Sequence, residues 1–152
     1  MKHFFTILTI TIFLSGCATK NAFTKLEVTD LQEIAIENTV SGKIVAGEKV
    51  GGIFSAMYLN NIYPSLSKSS NIFYISLFLK DKSKDLNITS NTNKPLRIKE
   101  LPHVNKFNHL LPIKNEWTTD YLVTFKNVKS DNITLSIESG QFSSGLLNYT
   151  RD

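Results

Sequence analysis

The chain has 152 residues, of which 41% are hydrophobic and 11% aromatic, which is enough apolar material to build the core of one ordinary domain. A disordered chain is therefore excluded as the default interpretation. Basic residues number 17 and acidic residues 13, so the formal net charge is only +4. A positive charge this small and this dispersed argues against nucleic acid as a partner.

The chain opens with an apolar segment. Lys2 supplies a positive charge, and residues 4–14 contain no charged side chain. This run is shorter than the roughly 20 residues of a membrane-spanning helix, but it has the layout of a secretory signal peptide. Two small residues, Ser15 and Gly16, follow it, and then comes Cys17, the only cysteine of the chain.

The order Leu14-Ser15-Gly16-Cys17, behind a charged start and an apolar run, resembles the lipobox of bacterial lipoproteins. The resemblance implies that residues 1–16 are a signal peptide that is removed. It also implies that the Cys17 thiol carries a diacylglyceryl group and that the new amino terminus is acylated, for instance with palmitate. Several acyl chains would anchor the protein stably in a membrane, since each buried CH₂ contributes about 0.8 kcal/mol. The alternative is a buried thiol in an ordinary exported protein.

Residues 17–25 are predicted to be a lipidated tether and residues 26–152 a single domain close to the membrane surface. Lipoproteins that stay in the inner membrane commonly carry an aspartate after the cysteine, and this chain has Ala18 there. The resemblance therefore implies an outer-membrane lipoprotein that faces the periplasm, with exposure at the cell surface left open. In a bacterium with one membrane, the same signal implies its outer face. With Cys17 lipidated no disulfide can form, so the domain must hold by packing.

Apolar residues in the mature chain recur with period two, which is typical of β-strands with one buried face. Turn residues such as Asn, Asp, Ser and Gly separate these runs. Residues 53–59 fit either a buried strand or two turns of helix. The runs that predict strands are Leu26/Val28, Ile34/Ile36, Phe73/Ile75/Leu77/Leu79, Tyr121/Val123/Phe125 and Ile133/Leu135/Ile137.

The last two runs predict an antiparallel hairpin of residues 121–128 and 133–139, with residues 142–149 as a third strand after Gly140. About seven short strands in this length favour an all-β fold. The pattern predicts a single antiparallel two-sheet sandwich of immunoglobulin-like or transthyretin-like kind.

Catalytic and metal-binding signatures are weak. Gly42 and Gly47 have the spacing of a phosphate-binding loop, but Glu48 stands where that loop needs lysine, so we interpret the glycines as turn and bulge positions. His103 and His109, with Glu100 and Asp120 as the nearest carboxylates, do not form a metal-binding motif, and we interpret them as loop histidines. The sequence predicts no catalytic residue, cofactor or metal.

Several residues are candidates for binding or modification. Trp117 is either a packed anchor or an exposed binding aromatic, and packing is favoured because an indole buries much area. Lys94, Arg97, Lys99, Lys106 and Lys114 lie in a loop-like third of the chain, as a solvated face or as a contact for a partner or an anionic polymer. Asn87 fits an extended acceptor pattern for bacterial N-glycosylation, with Asp85 before it and Thr89 after it. The candidate binding surface comprises Arg97, Lys99, Lys106 and Trp117.

These observations favour a membrane-anchored, non-catalytic binding or assembly module of the cell envelope. Its expected partners are the membrane, through lipid on Cys17, and an envelope protein. A peptide could bind at an exposed sheet edge by strand addition. The alternatives are an outer-membrane lipoprotein of a secretion machine and an envelope hydrolase in which His103, His109 and a carboxylate converge.

Overall fold

The computed structural model of the protein describes residues 28–66, 69–111, 115–128 and 130–151. In chain order the elements are α1 (Asp30–Glu37), β1 (Thr39–Ala46), β2 (Lys49–Tyr58), α2 (Leu59–Ile62), β3 (Ser70–Leu79), β4 (Leu86–Ser90), β5 (Arg97–Leu101), β6 (Thr119–Lys126), β7 (Asn132–Ser139), β8 (Phe142–Ser143) and β9 (Leu147–Thr150). Short 3₁₀ helices cover Pro64–Leu66 and Asn108–Leu110. Among these described residues, no helix is long and apolar enough to cross a membrane.

The strands form one curled antiparallel sheet. Its order is β4-β7-β8-β1-β2-β3-β6-β5, and β9 pairs with β7 beside β8. The predicted all-β class is confirmed. The prediction of two separate sheets is not confirmed, because β8 pairs with both β7 and β1 and so joins the two halves in a single hydrogen-bonded path.

The inner face of the curled sheet holds the main core. Side chains at alternate positions of β3, β6 and β7 meet there, as period-two alternation requires. The predicted strand faces of β3, β6 and β7 are therefore confirmed. The fully buried members of these three strands are Phe73, Ile75, Val123, Ile133, Leu135 and Ile137, each at 0% exposure.

A second, smaller core lies on the outer face of β2 and β3. Met57 and Tyr74 project from those strands, and Ala35 of α1 and Phe107 pack with them. The remaining buried members of this cluster are Leu59, Ile62 and Leu110. The two helices and residues 102–111 therefore cover one part of the outer sheet surface.

The prediction of a strand around Ile34 and Ile36 is wrong, because residues 30–37 form α1. A capping box starts the helix: the Gln32 backbone N–H donates to Thr29 Oγ1, and the Thr29 backbone N–H donates to Gln32 Oε1. These bonds satisfy two of the amides that a helix start leaves without partners. Only Ala35 of the helix is buried, and two alternating isoleucines are too short a run to distinguish a strand from a largely exposed helix.

The predicted hairpin of residues 121–128 and 133–139 is also wrong. β6 pairs with β3 and β5, whereas β7 pairs with β4, β8 and β9. The link between β6 and β7 therefore crosses from one half of the curled sheet to the other, and both strands turn their apolar faces to the same core. The expected third strand is present but interrupted, since β8 and β9 lie in tandem along β7.

Two further expectations concern the β1–β2 region. The segment that fitted either a strand or a helix is strand β2 up to Tyr58, and α2 follows at once. Gly47 occupies the turn between the paired residues Ala46 and Lys49 with φ of +59°, which confirms its interpretation as a turn glycine. The bulge of the β1–β2 hairpin lies between Ile44 and Val45, so it is adjacent to neither Gly42 nor Gly47.

Candidate binding surfaces

Strand β5 is an edge of the sheet and carries two of the predicted binding residues. Arg97 and Lys99 lie opposite Thr124 and Leu122 of β6, so they share the outer face. Arg97, Ile98, Lys99 and Glu100 are all exposed. Charged side chains on an edge strand disfavour edge-to-edge association between chains. This edge therefore presents a charged, solvated surface.

Two of the other basic candidates, Lys94 and Lys106, lie on the segments that flank β5 in the chain. The Lys106 ammonium sits 4.9 Å from the centre of the Phe107 ring, a cation–π contact on the segment that follows β5. Lys94 is exposed in the connection that precedes β5. Lys114 lies outside the described residues.

Trp117 is 77% exposed, so the prediction that it packs in the core is wrong. Its position follows from the turn before β6. The Trp117 backbone N–H donates to Asn115 Oδ1 at 3.0 Å, and the Thr118 hydroxyl donates to the Asn115 carbonyl oxygen at 2.9 Å. The turn is thus held by its own polar groups, and the apolar face of β6 begins only beyond it. Trp117 remains a binding candidate as an exposed aromatic.

A groove on the outer face of β1, β2 and β3 lies near this turn. Two adjoining depressions share Ser55 and Leu111. Hydroxyl pairs cross the strands on this face: Ser41 Oγ and Ser55 Oγ are 2.8 Å apart, and Ser76 Oγ donates to Thr118 Oγ1 at 2.8 Å. The other lining residues are Ile36, Thr39, Ile53, Phe54, Met57, Leu110 and Asn115. Apolar walls with hydroxyl groups suit contact with a partner surface.

The histidines and the carboxylate considered for catalysis make structural contacts. His109 Nε2 and Tyr63 Oη are 3.1 Å apart. Asp120, only 3% exposed, accepts a hydrogen bond of 3.1 Å from Asn105 Nδ2. His103 is exposed, and its carbonyl oxygen accepts from Asn108 Nδ2. Within the described residues, no three side chains of the His, Cys, Asp and Glu types are grouped to hold a metal ion.

The carboxylates of Asp120 and Glu100 affect the pKa values of two neighbouring tyrosines, Tyr74 and Tyr121. Burial, and then the neighbouring Asp120, raise the pKa of Tyr74. Burial and the Glu100 carboxylate likewise raise the pKa of Tyr121. Both phenols therefore stay protonated to a higher pH than a free tyrosine side chain would. Asp120 serves to fasten residues 102–111 to the outer sheet face through Asn105.

Asn87, the candidate glycosylation site, lies in β4, the other terminal strand of the sheet. The residue is exposed, and its Nδ2 atom donates a hydrogen bond of 3.0 Å to Glu138 Oε2 on β7. A sugar would have to attach at that nitrogen. The structure thus places the side chain on the surface of a paired strand and not in a turn.

A cleft between β1 and β9 was not predicted from the sequence. Strand β8, which precedes β9 in the chain, pairs with β1 at one position, Val45 and Ser143. Beyond that pair, β1 and β9 separate. The β1–β9 cleft has a volume of about 310 Å³. Its lining comprises Glu37, Asn38, Val40, Asn61, Asn148, Tyr149 and Thr150.

Asn61 spans the end of this cleft beside α1. Its Nδ2 atom donates to Asn38 Oδ1 at 2.8 Å and to the Thr150 carbonyl oxygen at 2.9 Å. The Asn61 side-chain amide therefore takes the place of the direct backbone hydrogen bonds that join neighbouring strands elsewhere in the sheet. The nearest signal in the sequence is Gly145, a residue type typical of turns, and the structure gives it a φ of +71° between β8 and β9.

No family model, curated protein or solved structure matches the chain. Cys17, the candidate lipidation site, lies outside the described residues, as do the segments 1–16 and 17–25. The described surfaces that remain as binding candidates are the β5 edge, the outer-face groove with the exposed Trp117, and the β1–β9 cleft.

Proposed function

We propose that the protein is a lipid-anchored bacterial envelope protein that acts as a non-catalytic binding or assembly module. The order Leu14-Ser15-Gly16-Cys17 behind an apolar signal segment supports the anchor at Cys17. Ala18 after that cysteine supports the outer membrane, with the domain in the periplasm. Two or three acyl chains at one site are enough for stable attachment.

The observation that carries the binding role is the open sheet. The sheet is open where β4 and β5 end the strand order and where β1 and β9 diverge at the β1–β9 cleft, so each of these strands has an edge without a neighbouring strand in the described part of the chain. The exposed charges of β5 make its edge the least suited to strand addition. An open edge presents a row of backbone donors and acceptors that a partner can extend by strand addition. We infer a sandwich-like scaffold for these edges, in which the β4-β7-β9 half packs over β2, β3 and β6 through the shared core.

Cross-linking and pull-down from intact membranes test this role. The Cys17→Ala variant serves as the matched control, because it keeps the domain and loses the anchoring thiol. Recovery of one specific envelope protein with the wild type, and loss of it with Cys17→Ala, is the expected result. A wild-type protein that stays in the membrane and cross-links to no protein contradicts the binding role, and a Cys17→Ala protein that stays in the membrane contradicts the anchor.

A further inference from the structure

The edges of β1 and β9 that border the β1–β9 cleft carry backbone groups with no strand beside them. In the described residues, β1 meets β8 at Val45 and Ser143 alone, and β9 pairs with β7 alone. Neighbouring strands in a sheet lie about 4.7–4.9 Å apart, at a spacing set by direct N–H to C=O bonds. The cleft interrupts that ladder on one side of the curled sheet.

The direction of the β1 backbone groups follows from the ladder with β2. The Tyr58 backbone N–H donates to the Asn38 carbonyl oxygen at 2.9 Å, so Asn38 and Tyr58 form a hydrogen-bonded pair. Bonded and non-bonded pairs alternate along antiparallel strands. Since Thr39 pairs with Met57 and Ser41 with Ser55, these β1 residues belong to non-bonded pairs. The backbone N–H and C=O of Ser41 therefore point away from β2, towards the cleft side.

The backbone groups of β9 alternate between its two sides in the same way. The Arg151 backbone N–H donates to the Asp131 carbonyl oxygen at 2.8 Å, on the β7 side. The Thr150 carbonyl oxygen points the other way, since it accepts from Asn61 Nδ2. By alternation, the backbone groups of Asn148 also face the cleft. Both walls thus present backbone donors and acceptors at strand intervals.

Such walls match one kind of ligand best, an extended polypeptide that offers the complementary backbone groups. The charge of the cleft lining indicates which side chains such a polypeptide should carry. Among the lining residues that the structure describes, Glu37 is the only charged one, and the lining also includes the polar side chains of Asn38, Asn148 and Thr150. A carboxylate at the end of the cleft favours a basic side chain on the ligand.

We propose that the β1–β9 cleft binds a short extended segment of a partner protein as an added strand along β1, with a basic side chain beside Glu37. This inference rests on the binding role proposed above and assigns it to one edge. It excludes the β5 edge as the main peptide site, since β5 carries exposed charges that oppose strand addition.

The test uses the full lipidated chain in detergent micelles, with a displayed library of short random peptides as the probe. Enriched peptides are synthesised with a fluorescent label, and their affinity is measured by anisotropy. In Ser41→Pro, the ring removes the N–H that faces the cleft and spares the backbone hydrogen bonds to β2, although the hydroxyl contact with Ser55 is lost. We expect it to weaken binding about tenfold or more, because a backbone donor is lost and the proline ring blocks the edge.

Two control variants separate the possible causes. Ser41→Ala keeps the amide and loses the hydroxyl bond to Ser55, so its affinity should stay within about twofold of the wild type. Ile98→Pro places a proline on the exposed β5 edge instead and should also leave the affinity unchanged. Thermal unfolding followed by circular dichroism checks that each variant is folded.

A second measurement depends on no variant. Hydrogen exchange at the Ser41 and Asn148 amides, followed by NMR, should slow when a selected peptide is added to the wild-type protein. Unchanged exchange there, a loss of affinity in Ile98→Pro instead of Ser41→Pro, or a library with no enriched peptide overturns the cleft as the site. Cross-linking to a partner in membranes can still succeed in each of these cases, so the two proposals fail separately.

Discussion

The Tyr149 hydroxyl donates a hydrogen bond of 2.9 Å to the Ala56 carbonyl oxygen, across the core of the curled sheet. The Tyr149 ring lies 5.2 Å from the Phe73 ring and 6.1 Å from the Tyr58 ring, measured between centroids. Strand β9 is thereby fastened to β2 and β3, although it has no ladder with either strand. This contact holds one wall of the β1–β9 cleft in place.

Loss of this hydrogen bond should destabilise the fold. Tyr149→Phe keeps the ring packing and removes the buried donor, so the free energy of unfolding should fall by about 1 kcal/mol. Urea unfolding at neutral pH measures the change. Tyr63→Phe is the matched control, because the Tyr63 hydroxyl meets the exposed His109, and its effect should stay within about 0.5 kcal/mol. Equal effects of the two variants contradict the role of Tyr149.

Stability should fall at alkaline pH. Burial raises the pKa of Tyr58, Tyr74 and Tyr149 in the folded state. A tyrosine whose pKa is higher when folded stabilises the fold fully below its unfolded pKa of about 10, and that contribution is lost as the pH rises further. Urea unfolding at several pH values should show the decline beginning near pH 10, and it should be shallower in Tyr149→Phe. A decline that is equally steep in this variant argues against the buried phenol.

The capping box of α1 should contribute measurably. Thr29→Ala removes the hydroxyl that accepts from the Gln32 backbone N–H, and loss of such a cap costs about 1 kcal/mol. Thr29→Ser keeps an acceptor at the same position and should retain most of the stability. Chemical denaturation compares the two variants. If both lose the same free energy, the methyl group of Thr29 and not the cap is responsible.

Gly51 and Phe142 should be energetically coupled. A Cβ atom at Gly51 would lie 2.5 Å from Cγ of the Phe142 ring, closer than packed carbon atoms approach. Gly51→Ala should therefore cost about 2 kcal/mol through overpacking. Adding Phe142→Ala should recover part of that cost, and a double-mutant cycle measures the coupling. Additive effects show that the alanine is accommodated by another shift.

Trp117 should make almost no contribution to folding. Because its side chain is exposed, Trp117→Ala should change the free energy of unfolding by no more than about 0.5 kcal/mol. As the only tryptophan of the chain, it also reports its own environment. Its fluorescence should be quenched by iodide as readily as that of a free indole, and a shielded, blue-shifted emission contradicts the exposed position.

Local sequence patterns are enough to predict the class of the fold and the faces of its strongest strands. Alternation in Phe73/Ile75/Leu77 and Ile133/Leu135/Ile137 is a local property, and it suffices because side chains of a strand point alternately to its two faces. The prediction of lipidation at Cys17 also comes from the sequence alone, and it stays a prediction. The strand prediction around Ile34 and Ile36 used their alternation alone, whereas the Thr29 and Gln32 pair that caps α1 was not recognised.

Strand pairing, in contrast, depends on contacts between distant parts of the chain. The alternation of β6 and β7 is compatible with a hairpin, yet burial of both faces in one core places the two strands in different halves of the sheet. Trp117 is exposed because the turn before β6 is held by hydrogen bonds among its own residues. The apolar character of the tryptophan side chain does not reveal this. The β1–β9 cleft arises where two strands far apart in the chain diverge. It depends on long-range geometry that no local pattern encodes.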